Sequence, residues 1–301
     1  MTDPMTDSPP PGLLAWAAAH LPGPVTAADC SWPRATSRVW RLTGPDGGAA
    51  FVKISPDDGA FTREVTGYAH ASRSLAEGRA PRLLASEPRL RALLSTALPG
   101  RVVRDLPLER GVEQRLHEDA GRLLRHWHDR SDAGTAVHRA QVREAMGAHA
   151  REAAECREAL AGQVPDDVLS LVGAAAAEIP ALADRLPLLF LHGDYATRNW
   201  LIDTATGRHA LIDFERSRYG LVVEEFVWLL GALWPERPDL REAFSTGYGR
   251  PLEPVEERLL LLLTVRLGAS YLRTGLREGR ADLQERGRLA LARAAVHRTR
   301  T

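Results

Sequence analysis

Three short apolar runs, at residues 188–191, 200–202 and 210–212, lie close together in the chain, each bounded by polar or turn residues. That pattern predicts a strand, a loop and a hairpin that turns near Gly207. Upstream, apolar runs at 39–42 and 50–54 flank Gly44-Pro45-Asp46-Gly47-Gly48 and predict another hairpin. The apolar stretch 92–98 ends in Pro99-Gly100 and reads as a further strand. Longer segments carry the helical period instead. Residues 57–74 open on Asp57 and Asp58, whose carboxylates suit the positive end of a helix, and place Phe61, Val65, Tyr68 and Ala69 on one stripe. Residues 112–129 do the same with Leu116, Ala120, Leu123, Leu124 and Trp127. Helices are also predicted at 13–20, 168–186, 222–230, 240–248, 255–274 and 282–297, and at 141–161, whose Glu and Arg content reads as a solvated face. Apart from those at 188–212, the strands lie before residue 100, and the chain from 106 onward reads mostly helical, which is the pattern of an α+β protein.

Composition narrows the class. Of 301 residues, 44% are hydrophobic and 26% charged, as in ordinary globular proteins, and the formal net charge of zero gives no electrostatic footprint for nucleic acid. No apolar run reaches the roughly 20 residues of a membrane span. Residues 1–12 are acidic and Pro-rich and read as a disordered start without a targeting signal. Cys30 and Cys156 are read as buried thiols in a reducing, cytoplasmic setting.

The candidate chemistry sits at the ends of the 188–215 strands. Asp194 is followed five residues later by Asn199 and, after the hairpin, by Asp213. A carboxylate, an amide and a second carboxylate so placed can converge on one point. Phosphoryl transfer needs that set: a base for the attacking hydroxyl, and oxygen ligands for Mg²⁺ on the nucleotide phosphates. A compositional oddity supports it. Lys53 is the only lysine among 39 basic side chains, and Asn199 is the only asparagine. In so Arg-rich a chain a lysine survives where a compact ammonium on a slim stem is needed, because Arg is not its equivalent there.

The words His192-Gly193-Asp194, then Asn199, then Asp213-Phe214-Glu215, together with Lys53 on an apolar strand, resemble the aminoglycoside phosphotransferase and choline kinase family. The resemblance implies a bilobal, protein-kinase-like fold. A small β-rich N-terminal lobe (13–98, with the hinge near Leu98) would bind nucleotide, and a larger helical lobe (99–301) would carry the catalytic loop and acceptor site. It implies Asp194 as the catalytic base, Asn199 and Asp213 as Mg²⁺ ligands, Lys53 on the α- and β-phosphates and Glu64 orienting Lys53. It also implies nucleotide contacts from Ser37 in a covering loop at 33–38 and from the backbone at Thr96–Leu98, with ATP as donor and GTP kept open. Two departures stand out. After Asp213 the family's Gly-Asp-Pro is Gly220-Leu221-Val222, with Glu225 at the later acidic position. The absence of a DFG glycine and of an APE-like segment argues against a protein kinase.

The acceptor is less determined. Residues 251–301 hold six acidic residues and ten Arg, a balance of +4 that disfavours a heavily cationic acceptor. The reading is phosphorylation of a hydroxyl on a small molecule, an aminoglycoside or nucleoside-type antibiotic, by a monomer or homodimer with no nucleic-acid or membrane partner. Two alternatives remain: a kinase of a metabolite such as choline, a sugar or an amino alcohol, and a kinase-like binding protein that has lost turnover.

Overall fold

A computed structural model describes residues 8–32 and 36–298, which fall into two compact units. One comprises the chain up to Leu106 together with Thr197–Ser217, and the other comprises Pro107–Ala196 with the chain from Arg218 onward.

The first unit is built on a five-stranded antiparallel sheet in the order β1 (Thr26–Asp29), β2 (Arg38–Thr43), β3 (Ala49–Ile54), β5 (Ala92–Thr96), β4 (Leu83–Glu87). Strand alternation divides its faces. Ala50 and Val52 of β3 bury against Trp40, Leu42 and Leu94, and helix α1 (Pro11–Ala18) covers them with Leu13 and Ala17. Lys53 is thereby turned to the other face. There lies helix α2 (Asp58–Ser74), started by Asp57, whose side chain accepts the Ala60 N–H at 2.8 Å. Gly67 lets α2 settle directly on the chain after Asp213, because a Cβ there would stand 2.4 Å from the Phe214 Cβ. Phe214 is fully buried, edge-on to Tyr68 with ring centroids 5.0 Å apart.

The division of the chain differs from the boundary expected at residue 98. Strand β6 (Arg101–Val102) pairs with β8 (Trp200–Asp203), which pairs in turn with β9 (Arg208–Leu211). The Val103 N–H donates to the Trp200 carbonyl at 2.9 Å, and the Leu211 N–H donates to the Arg79 carbonyl at 2.9 Å. These bonds bring the hairpin, expected in the helical lobe, into the N-terminal unit. Pro11 and Gly12, expected within the disordered start, form the first turn of α1, while residues 1–7 lie outside the described residues.

The second unit is helical: α3 (Arg110–Asp129), α4 (Ala136–Ala159), α5 (Asp166–Ala183), α6 (Val227–Ala232), α7 (Pro238–Tyr248), α8 (Pro254–Glu278) and α9 (Ala281–Arg298). A two-stranded ribbon of β7 (Leu189–Leu191) and β10 (Arg218–Gly220) runs beside them. Leu171 and Val172 of α5 meet Leu261, Val265 and Leu272 of α8 and Leu291 of α9 in one core. Three expectations are corrected here. Helix α4 is not merely a solvated face, since Val142, Met146, Ala150, Ala153 and Cys156 form a buried stripe between its charges. Residues 222–230 do not form one helix, because a 3₁₀ turn at Val222–Phe226 precedes α6. Of the two thiols Cys156 is buried, but Cys30 is exposed because β1 lies at the sheet edge. Helix α8, at 25 residues, is long and apolar enough by composition to cross a membrane, and its run Leu259–Leu263 is packed inside this unit.

Candidate active site

In the first unit, Lys53 gathers three carboxylates. Its Nζ lies 2.9 Å from Glu64 Oε2, 3.0 Å from Asp213 Oδ1 and 2.9 Å from Glu215 Oε2. Each arrives from a different direction in the sequence. Lys53 projects from the middle of the sheet, Glu64 stands one turn before Gly67 on α2, and Asp213 follows β9. Asp213 adopts a left-handed backbone, φ +66°, a conformation that Asp tolerates better than most residues. The turn puts its carboxylate on Lys53 while the next side chain, Phe214, enters the core. Glu215 then returns to Lys53, and the Ser37 hydroxyl donates to the Glu215 carboxylate.

The electrostatics follow from crowding. Burial pulls the Lys53 ammonium down, but Asp213, Glu64 and Glu215 together outweigh it and hold the group well above the usual lysine value. Burial pushes the Glu64 carboxyl up to about 7, with Lys53 opposing and the other two carboxylates adding to the rise. One ammonium cannot neutralise three carboxylates, so the cluster carries surplus negative charge when fully ionised. Glu64, Asp213 and Glu215 each offer an oxygen, all within 4.8 Å of one another. Hard oxygen donors with unmet negative charge suit Mg²⁺.

Asn199 is buried at the end of a 3₁₀ turn, Thr197–Asn199, and its carbonyl accepts the Ile212 N–H at 3.0 Å. It therefore sits at the same end of the hairpin as Asp213. Thr96 closes β5, with its N–H given to the Arg82 carbonyl and its hydroxyl accepting the Arg82 N–H, both at 2.9 Å. The sheet thus already uses these Thr96 groups. The Leu98 N–H and carbonyl, beyond the strand end, have no hydrogen-bond partner among the described residues. Of the covering loop at 33–38, residues 33–35 lie outside the described residues, and Ser37 is where the Glu215 contact places it.

The second unit holds Asp194, in the loop after β7. Its N–H donates to His192 Nδ1 at 3.4 Å, and its carbonyl accepts the Ala196 N–H at 2.9 Å. His192 is fully buried, its ring 5.7 Å from both Trp127 and Tyr195. Glu225, on the 3₁₀ turn, accepts the His192 N–H at 2.6 Å and the Gly193 N–H at 3.1 Å. Gly193 has φ +81°, a geometry that glycine takes without strain. One carboxylate thus satisfies the two amides that immediately precede Asp194.

A profile described as the phosphotransferase enzyme family matches residues 33–262. The chain belongs to that family. Among solved structures, this phosphotransferase is similar to an aminoglycoside phosphotransferase from Alicyclobacillus acidocaldarius, with TM-score 0.63 and 14% identity over 100% of this chain and 97% of that one. A choline/ethanolamine kinase family protein from Mesorhizobium loti gives TM-score 0.58 and 19% identity over 91% and 88%. A macrolide 2'-phosphotransferase from Brachybacterium faecium gives 0.57 and 19% over 93% and 96%. At such identities the likeness is one of fold. No protein of curated function matches the sequence. The protein is a small-molecule phosphotransferase with the kinase-like α+β architecture.

Sequence reasoning left Glu215 out of the phosphotransferase's site. A usable signal was its place two residues after Asp213, since alternate residues of an extended chain share a side. Sequence reasoning set Glu225 at the family's later acidic position, and the structure adds its grip on the His192 and Gly193 amides.

Proposed function

We propose that this phosphotransferase moves the γ-phosphoryl group of ATP, taken as its Mg²⁺ complex, to a hydroxyl of a small-molecule antibiotic of aminoglycoside or nucleoside type, inactivating it. The observation that carries the reading is the meeting of Lys53 with Glu64, Asp213 and Glu215 in one unit. Lys53 holds the α- and β-phosphates, and Glu64 fixes its ammonium. Asn199 and Asp213 supply oxygens for Mg²⁺, which when bound offsets charge on the phosphate oxygens. Asp194 takes the proton of the acceptor hydroxyl as the new O–P bond forms and the bond from the γ-phosphorus to the bridging oxygen breaks, with ADP leaving. Ser37 passes from Glu215 to a phosphate oxygen. The Leu98 backbone receives the adenine edge, and GTP is the alternative donor because backbone recognition carries little base signature. ATP supply places the enzyme in the cytoplasm, as a monomer or homodimer acting on small molecules.

Positioning and charge do most of the work, since a loose phosphoryl transition state asks little covalent chemistry of the protein. Asp194→Ala is expected to lower kcat by about 10²–10⁴. A kcat within a few-fold of wild type, measured as ADP formed with an active acceptor, contradicts the role given to Asp194. The acceptor is tested by ATP consumption against a panel of aminoglycosides, nucleoside antibiotics, choline, sugars and amino alcohols. The likeness to a choline/ethanolamine kinase family protein supports a metabolite acceptor as the second reading. Turnover of choline or an amino alcohol with no antibiotic turned over would select it.

A further inference from the structure

Beneath the Asp194 loop lies a buried polar chain that the transfer step as described does not use. Tyr248, at the end of α7, places its hydroxyl 2.9 Å from His128 Nδ1 on α3. The other ring nitrogen, His128 Nε2, makes no hydrogen bond among the described residues and lies 3.8 Å from Glu225 Oε1. His128, Glu225 and Tyr248 are all at most 5% exposed, so water does not readily satisfy these atoms. Burial pushes the Tyr248 hydroxyl up to about 12. It is therefore protonated at neutral pH and able to donate. A hydroxyl donating to Nδ1 selects the tautomer with the proton on Nε2. That N–H then faces the carboxylate oxygen that also accepts the His192 amide. Phe244 stacks on the Tyr248 ring, with centroids 6.4 Å apart, and keeps the hydroxyl aimed.

We propose that Tyr248 and His128 are positioning residues for phosphoryl transfer: Tyr248 sets the His128 tautomer, and the Nε2–H steadies the Glu225 carboxylate that holds the His192 and Gly193 amides ahead of Asp194. The inference rests on Asp194 being the base. A buried carboxylate with only amide donors retains charge that a third donor offsets, and a loosened carboxylate lets the loop drift. The effect falls on the transfer step and spares nucleotide binding, because the chain touches none of the residues assigned to phosphate.

The experiment uses the intact protein with Mg²⁺ and ATP. Wild type, Tyr248→Phe, His128→Asn, His128→Gln and Asp194→Ala are compared for ADP formation with water as acceptor, for ATP affinity by calorimetry and for thermal unfolding. A glutamine amide can reproduce the donor at Nε2, whereas an asparagine amide lies at the Nδ1 position. Expected are a kcat lowered roughly three- to tenfold in Tyr248→Phe and His128→Asn, the usual worth of one hydrogen bond. KM for ATP should be unchanged, and activity should return in His128→Gln. Long-range ¹H–¹⁵N spectra should show the Nε2–H tautomer of His128 in wild type and its loss or mixing in Tyr248→Phe. The proposal is overturned if His128→Gln falls as far as His128→Asn, if kcat stays within twofold in both Tyr248→Phe and His128→Asn, or if the tautomer is Nδ1–H. Should Asp194→Ala retain full turnover, the underlying assignment fails and this one with it. Loss in Asp194→Ala with none in the other variants would sink only the present inference.

Discussion

At the scale of single residues, the sharpest consequence concerns Glu64. Its carboxyl ionises near 4.5 in an unfolded chain and, pushed up chiefly by burial, near 7 in the folded protein. Between those values the folded state binds the extra proton, so this group's contribution to stability is full below about pH 4.5. It is lost as pH rises through 7. The whole swing is worth roughly 3 kcal/mol. Glu64→Gln stays neutral throughout. In EDTA, wild type should therefore lose stability relative to this variant between pH 4.5 and 7, with the gap level above that range. Thermal unfolding across the range measures it, and a gap independent of pH would count against a Glu64 carboxyl raised by burial.

Among the elements, α2 bears most on the Lys53 cluster, because its contact with the chain after Asp213 is made at a residue without a side chain. Gly67→Ala brings a Cβ within 2.4 Å of the Phe214 Cβ and 2.8 Å of the Ser217 hydroxyl. Neither neighbour is the loose end of a flexible side chain, so the helix must shift, at a cost of about 1–3 kcal/mol. A lower melting temperature and weaker ATP binding are expected together, since Glu64 lies one turn away. Unchanged ATP affinity in a folded Gly67→Ala protein would separate α2 packing from the Lys53 cluster.

The same elements show what could be read from sequence. Helices α2, α3, α7 and α8 were legible because their apolar stripes are long, and both central hairpins because their turns carry Gly. Lys53 and Asn199 stood out by rarity. Strands β4, β6 and β10 were not found, since two to five residues carry no usable period and the pairing partners of β6 and β10 lie elsewhere in the chain. The buried stripe of α4 was hidden by charged neighbours, and Ala at two of its positions gives little contrast with them. Glu215 and His128 escaped for a shared reason. A buried polar side chain is chosen by its three-dimensional partners, and in one dimension it looks like any solvated charge.

On the scale of the whole molecule, neither unit is a continuous stretch of chain. A fragment of residues 8–106 contains the five-stranded sheet but lacks β8, β9, Asp213 and Glu215. Phe214 is then missing from its place against Tyr68 and Gly67, a loss of roughly 2–3 kcal/mol of apolar burial, with β6 left unpaired. The fragment is expected to lack a cooperative melting transition. Adding residues 197–217 through a flexible linker should restore one, as circular dichroism can show. A cooperative melt of the shorter piece would mean that the hairpin is dispensable.

That interrupted path also governs the order of events during synthesis. Lys53 leaves the ribosome 160 residues ahead of Asp213. Until Asp213 and Glu215 emerge, Lys53 lacks two of its three carboxylate partners. The first hundred residues are therefore expected to lock into their sheet only after the hairpin has been made, late in translation.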